Sequence, residues 1–216
     1  MATQSSIQSK VNFGYAKAAS ILGVANNWYR PNGITAPIVS GNLRGTPNVL
    51  YDTNPDMQQT KPSDAAKPQD WYGAFDRTGM LAGDYLVDPT LGTFFICSME
   101  LFRAVRVVRC NATFSAERPA PHPPGTGFYL GDVSGQGTVL FTSWPGGITA
   151  GPKGEKSAAN LPGDSRSPWY RGFLPLSAPT VQFGDVLTDA QSRRMVVSEV
   201  VFDANFQAFT AQYAGT

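Results

Sequence analysis

The side chains that could do chemistry in this chain are few and lie far apart. His122 is the only histidine of the 216 residues, and it lies between prolines in the stretch Pro121-His122-Pro123-Pro124. A nucleophilic triad or a histidine-based zinc site needs further partners, held by regular elements. The two cysteines, Cys97 and Cys110, do not form a C-x-x-C pair. The sequence therefore predicts no catalytic residue, no metal site and no cofactor, and a protein that is not an enzyme.

Two other patterns superficially resemble functional sites. The segment 151–157, Gly-Pro-Lys-Gly-Glu-Lys-Ser, carries Lys-Ser but lacks the G-x-x-x-x-G-K spacing of a phosphate loop. Asp84 and Asp185 each follow a glycine and open a short apolar segment, where the turn preference of Asp explains them without chemistry. A distant pair of carboxylates leaves no mark in a sequence, so a hydrolase stays open as an alternative.

Composition favours a β protein whose partners are proteins. The chain has 22 glycines, 17 prolines and only 15% charged residues, which is typical of many turns and strands. Its 17 basic and 16 acidic side chains leave a net charge of +1, so no strong field attracts nucleic acid or an anionic membrane. We find no membrane-spanning apolar run and expect no secretory leader, synthesis in the cytoplasm and two free thiols. A disulfide between neighbouring strands is the open alternative for the thiols.

One element occurs twice in the sequence. Gly83-Asp84-Tyr85-Leu86-Val87-Asp88, a turn and Thr93-Phe94-Phe95-Ile96 recur as Gly184-Asp185-Val186-Leu187-Thr188-Asp189, a turn and Arg194-Met195-Val196-Val197. Each copy has the pattern of a β-hairpin. The sequence thus predicts a mainly β fold of hairpin and meander sheets, which two related small β modules or barrels could form, although two ordinary hairpins could match by chance.

Four regions follow from the patterning. We predict an N-terminal helix in 1–25, an extended arm and first β module in 26–116, a Pro/Gly-rich insertion in 117–182, and a C-terminal meander in 183–216 packing with the first module. The helix carries an apolar stripe, a Ser5–Gln8 capping box and a Gly23 stop. The stripe, which packs on its own sheet or docks on a neighbouring subunit, consists of Ile7, Val11, Tyr15, Ala18 and Leu22.

Two finer features are predicted inside the β regions. The arm from Asn26 to Asp70 carries six prolines and is expected to lie across another surface or to form a simple loop. The apolar parity changes after Val107-Val108, which predicts a β-bulge there. Phe94 and Ile96 are apolar on the face opposite Phe95, so this strand is expected to be central and covered on both sides.

Aromatic and arginine side chains beside the Pro/Gly-rich segments are the candidate interface residues. Such residues anchor protein interfaces, stack on sugars, or cap the core beneath long loops. Together with Ile7, Val11 and Tyr15 of the helix, the candidates are Trp28, Tyr29, Trp144, Arg166, Trp169, Tyr170, Arg171 and Phe173.

Several of these segments resemble structural proteins of tailed bacteriophages. The segment 184–197 resembles small β modules of such proteins, and 83–96, with Trp71-Tyr72-Gly73-Ala74-Phe75-Asp76 upstream, is similar to a family of phage and prophage virion proteins. The opening segment 10–19 and Trp28-Tyr29-Arg30-Pro31 fit the same pattern.

The resemblance implies a structural component of the virion tail or baseplate. Its partners would be other virion proteins of the tail tube, baseplate or neck, and further copies of itself. The alternatives are a head–tail connector in the neck and a carbohydrate-binding module of a tail protein, which would use the loop tryptophans.

Overall fold

The computed structural model contains one helix and fourteen strands within the residues it describes, which are 3–54, 70–120, 137–150, 169–203 and 205–213. In chain order the first group is α1 (Gln4–Leu22), β1 (Val24–Ala25), β2 (Asn27–Tyr29), a 3₁₀ turn (Ser40–Asn42), β3 (Leu43–Gly45), β4 (Asn48–Asp52), β5 (Asp70–Ala74), β6 (Tyr85–Asp88), β7 (Gly92–Ser98) and β8 (Val105–Arg109). The second group is β9 (Ala112–Arg118), β10 (Thr138–Ala150), β11 (Trp169–Pro175), β12 (Val186–Asp189), β13 (Arg194–Phe202) and β14 (Phe206–Tyr213). The predicted mainly β class with one N-terminal helix is confirmed.

The six strands from β9 onward form a closed antiparallel barrel. Its strand order is β9-β10-β11-β14-β13-β12, with β12 pairing back on β9. Closure leaves no unpaired edge, so the backbone polar groups of each strand find partners on both sides. We call this the second barrel.

The eight strands before it form a sheet that also returns on itself. Its order is β1-β4-β5-β8-β7-β6-β2-β3. Only Asn26 separates β1, which pairs with β4, from β2, which pairs with β6. The two short strands are therefore halves of one segment, and the sheet closes through it into a first barrel, with β3 added outside β2.

The two barrels have the same connectivity. When β1 and β2 count as one strand, each barrel has six strands in the order first, second, third, sixth, fifth, fourth. The hairpins that match in sequence, β6–β7 and β12–β13, are the fourth and fifth strands of their barrels. Both fifth strands also carry a register shift at the matching place, between Ile96 and Ser98 and between Val197 and Glu199. The two hairpins thus occupy equivalent positions in two similar barrels.

Two apolar clusters fill and join the barrels. Strand β7 alternates between them: Phe94 and Ile96 belong to the cluster of the first barrel, whereas Phe95 and Cys97 belong to the cluster that fills the second. All four side chains are fully buried. The prediction that this strand is central and covered on both faces is confirmed.

The boundaries differ from those expected. The first barrel ends at Arg109, because β9, which was expected in the first module, already belongs to the second barrel. The segment 117–182, expected as an insertion, supplies β10 and β11, and the C-terminal meander closes onto these strands. The predicted arm contains β2, β3 and β4, because Pro31, Pro37 and Pro47 fall between these short strands, whereas residues 55–69 of the arm lie outside the described residues.

The predicted bulge at Val107-Val108 is wrong in position. Val108 and Val107 pair in unbroken register with Phe95 and Ile96, and the shift lies on the partner strand, at Cys97. The apolar parity changes after Val108 because the chain leaves one barrel at Arg109 and enters the other.

Candidate protein-interaction surfaces

In each barrel a buried aspartate binds the arginine at the end of the first strand. Asp84 accepts hydrogen bonds from Arg30 Nε (3.0 Å) and Nη2 (2.7 Å), and its side chain is only 3% exposed. In the second barrel Asp185 accepts from Arg118 Nε (2.8 Å) and Nη2 (2.9 Å). Each hydrogen bond raises the pKa of its arginine. We call these pairs the Arg–Asp clasps.

The clasps also hold the turns that precede the matching hairpins. Asp84 Oδ2 accepts from the backbone N–H of Leu81 (3.0 Å), and Asp185 Oδ2 accepts from that of Gln182 (2.7 Å). The preceding glycines, Gly83 and Gly184, have φ values of 93° and 86°, which a side chain would disfavour. The turn role predicted for both aspartates is confirmed, and each aspartate also binds an arginine, which was not predicted.

The contacts between the barrels fix them to each other. The buried Tyr85 hydroxyl donates to the carbonyl of Pro145 (2.7 Å), and burial raises its pKa well above the ordinary value. Ser177 Oγ donates to the carbonyl of Gly83 (2.7 Å). The arm crosses from the first barrel to the second, where the carbonyl of Ile34 accepts from the N–H of Thr142 (3.1 Å). Around Ile34 the arm therefore lies across another surface, which is one of the two expectations for it.

Trp144 is not an interface residue of this fold. It is fully buried, its ring meets Tyr85 and Phe141 edge to face, and its Nε1 donates to the Ile34 carbonyl (3.3 Å). Trp28 is half-buried and donates through Nε1 to Asp84 (2.8 Å), while Tyr29 packs against the second cluster. These aromatic residues act in the core and the clasp.

The predicted loop candidates near residue 170 form part of strand β11. Trp169 and Tyr170 are half-buried, and the guanidinium of Arg193 lies 5.7 Å from the ring centre of Tyr170. Arg171 is exposed and lies over the ring of half-buried Phe173. These four residues are brought together on one strand and stay partly accessible, whereas Arg166 lies outside the described residues.

Helix α1 packs on the first barrel through a side that carries the polar Gln8 and Asn12 together with the buried Ala19. Its N-cap is Thr3, whose Oγ1 accepts from the N–H of Ser6 (3.4 Å), so the predicted Ser5 cap is wrong by two residues, while the Gly23 stop is confirmed. Gln8 Oε1 accepts from the N–H of Phe102 (2.8 Å), and Asn12 Oδ1 accepts from Arg77 Nε (3.0 Å).

The predicted apolar stripe lies at the edge of this contact. Val11, Tyr15 and Ala18 are half-buried, but Ile7 and Leu22 are exposed, at 43% and 68%. The stripe is therefore split between the helix's own barrel and solvent.

The opposite side of the helix is apolar and basic. Ile7, Lys10, Gly14, Lys17 and Ile21 follow one another at intervals of three and four residues, which places them on one side of the helix. Phe13 lies beside them and is 71% exposed, and Ile21 is 70% exposed. We call these six residues the outer side of α1.

A second exposed apolar surface lies at the hairpin between β13 and β14, and sequence reasoning missed it. Val201 is 53% and Phe202 is 56% exposed, on the two faces of the strand end, and the flanking Glu199 and Asp203 are exposed as well. We call these four residues the acidic tip. The run Val200-Val201-Phe202 was a signal, because neighbouring strand residues face opposite sides and one side must lack a partner in the core.

The two cysteine thiols are weaker acids than a free cysteine. Burial raises the pKa of Cys97 to about 12 and that of Cys110 above its ordinary value, and both cysteines are free. Within the described ranges no group of three or more His, Cys, Asp or Glu side chains is arranged to hold a metal ion. In the same part of the chain no helix is long and apolar enough to cross a membrane.

Comparison with known protein families, with curated proteins and with solved structures finds no match to this chain.

Proposed function

We propose that this protein is a non-enzymatic structural component of a tailed-phage virion, located in the tail or baseplate, where it joins neighbouring rings through protein–protein contacts. The phage setting comes from the resemblance of segments 10–19, 71–76, 83–96 and 184–197 to virion proteins. The joining role comes from the surfaces described above.

One observation carries the joining role: a single body presents two separate exposed apolar surfaces. The outer side of α1 lies on the first barrel and the acidic tip on the second. Isolated exposed apolar residues are common, but apolar residues grouped with charges of one sign favour a docking surface. The clasps bind the hairpin within each barrel, and the contacts of Tyr85 and Ser177 hold the two barrels together, which suits a protein that fixes one neighbour relative to another.

The carbohydrate-binding alternative loses part of its basis. It relied on Trp144 and Trp169 as stacking platforms, and Trp144 is fully buried. Stacking on a sugar requires an accessible ring face. Trp169 and Tyr170 on strand β11 remain partly accessible and could still stack on a sugar, and Arg193 lies over the ring of Tyr170.

The proposal is tested by quantitative mass spectrometry of purified phage particles and of their separated heads and tails, from the host that carries the gene. We expect the protein in tails at a fixed small-integer ratio to the tube protein. Recovery with heads or necks would favour the head–tail connector alternative. Its absence from particles would refute the proposal.

A further inference from the structure

The outer side of α1 is suited to a partner that is apolar and acidic. Helix α1 contains Lys10 and Lys17 and no acidic residue. Both lysines are exposed, and neither forms an ion pair with any described residue. Phe13 and Ile21 supply large apolar side chains between and beside them.

The acidic tip is suited to a partner that is apolar and basic. Glu199 and Asp203 flank Val201 and Phe202, and no basic residue occurs between positions 195 and 216. Neither acidic residue forms an ion pair within the described part of the chain. Asp203 Oδ1 instead accepts from Asn205 Nδ2 (3.2 Å), a neutral partner within the same hairpin.

The likeness of the two barrels relates these surfaces. In the first barrel the loop between the fifth and sixth strands is the one that α1 contacts, since Phe102 donates to Gln8, and Arg77 Nη1 donates to the carbonyl of Glu100 (2.8 Å) while its Nε binds Asn12. The acidic tip is the equivalent hairpin of the second barrel. Both carry exposed apolar residues, Leu101 and Phe102 in the first barrel and Val201 and Phe202 in the second.

We propose that the outer side of α1 of one copy binds the acidic tip of another copy of this chain. Each α1 would then lie between two equivalent hairpins, its own loop on the polar side and a neighbour's acidic tip on the outer side. The two surfaces differ, so the contact is head-to-tail and repeats into a ring or a filament. The inference concerns self-association and does not rest on the phage assignment, so either can fail without the other.

Charge reversal in pairs tests the contact. The first variant is Lys10→Glu with Lys17→Glu, and the second is Glu199→Lys with Asp203→Lys. All four positions are exposed, so both variants should fold, which circular dichroism and urea unfolding check. The matched control is Arg44→Glu, an exposed reversal on β3, outside both surfaces.

Sedimentation velocity over a range of concentrations and salt gives the outcome. We expect the unaltered chain and the Arg44→Glu variant to associate, and each paired variant alone to dissociate with a constant raised more than about tenfold, because like charges then face each other. We expect the equimolar mixture of the two variants, and the variant that carries all four reversals, to associate again. High salt should weaken the unaltered assembly.

Three results would overturn the inference. The first is an unaltered chain that is monomeric at every concentration. The second is association of the paired variants as strong as that of the control, and the third is an equimolar mixture of the two variants that does not associate.

Discussion

The Arg–Asp clasp of the first barrel makes a quantitative prediction about stability. Asp84 accepts from four donors: Trp28 Nε1, Leu81 N, and Arg30 Nε and Nη2, at 2.7 to 3.0 Å. Replacing it with alanine leaves the two neutral donors unsatisfied, at about 1–3 kcal/mol each, while the partly exposed guanidinium regains water. We expect Asp84→Ala to lower the free energy of unfolding by about 2–6 kcal/mol, the sum for the two neutral donors.

The control is an exposed pair with the same chemistry. Arg106 and Asp70 bind through Nη2 at 3.0 Å, but their side chains are 33% and 57% exposed. Because surface ion pairs contribute little to stability, Asp70→Ala should lower the free energy of unfolding by less than about 1 kcal/mol.

Urea unfolding at neutral pH, followed by tryptophan fluorescence and circular dichroism, measures both variants. If Asp84→Ala is too unstable to purify, Asp84→Asn keeps one acceptor oxygen and should lose an intermediate amount. A loss of unfolding free energy in Asp84→Ala no larger than that in Asp70→Ala would contradict this prediction.

Three further predictions concern the core and the helix. Gly172→Ala should lower the free energy of unfolding by about 1–3 kcal/mol, because the added Cβ would overlap the Phe209 ring. Gly14→Ala has open space around it and should raise the free energy of unfolding by up to about 1 kcal/mol in the same urea assay. Equal effects of the two substitutions would contradict this prediction. Trp144→Ala should lower the free energy of unfolding by about 3–5 kcal/mol in that assay, because it leaves a cavity in the core. On a glycan array the substitution should remove no specific glycan binding. The pKa of Cys97 is raised to about 12 by burial, so the unfolded chain releases its thiol proton first and the free energy of unfolding should fall as the pH rises from about 9 toward 12; Cys97→Ala should flatten that fall, and an unchanged slope would contradict the assignment.

The repeated hairpin could be predicted because its signals are local. A glycine with positive φ, an aspartate that binds the turn and alternating apolar residues all lie within a few positions of one another. Closure of the barrels could not be predicted this way, because β9 pairs with β10 and β12, whose positions in the chain are far away. The prolines and glycines of 117–182 concealed β11 and the part of β10 after Trp144, although Gly146 and Gly172 are buried in the second barrel and adjoin the side chains of Phe114 and Phe209.

The candidate residues show the same limit. Trp144 has the sequence setting of a loop residue, but Thr142 and Trp144 bind the arm, and this long-range contact places the ring in the core. The helix was predictable from its periodicity, yet its buried side follows Gln8 and Asn12, whose partners are Phe102 and Arg77. A hydrophobic pattern does not show contacts that amides or a small residue such as Ala19 make, and the predicted apolar stripe therefore lies at the edge of the contact.

The proposed function is tested most directly by cryo-electron microscopy of the purified tails. It predicts a symmetric ring in which density for two linked six-stranded barrels repeats, with α1 of each subunit against the acidic tip of the next. A tail reconstruction in which every protein is assigned and no ring contains this two-barrel subunit would contradict the central claim.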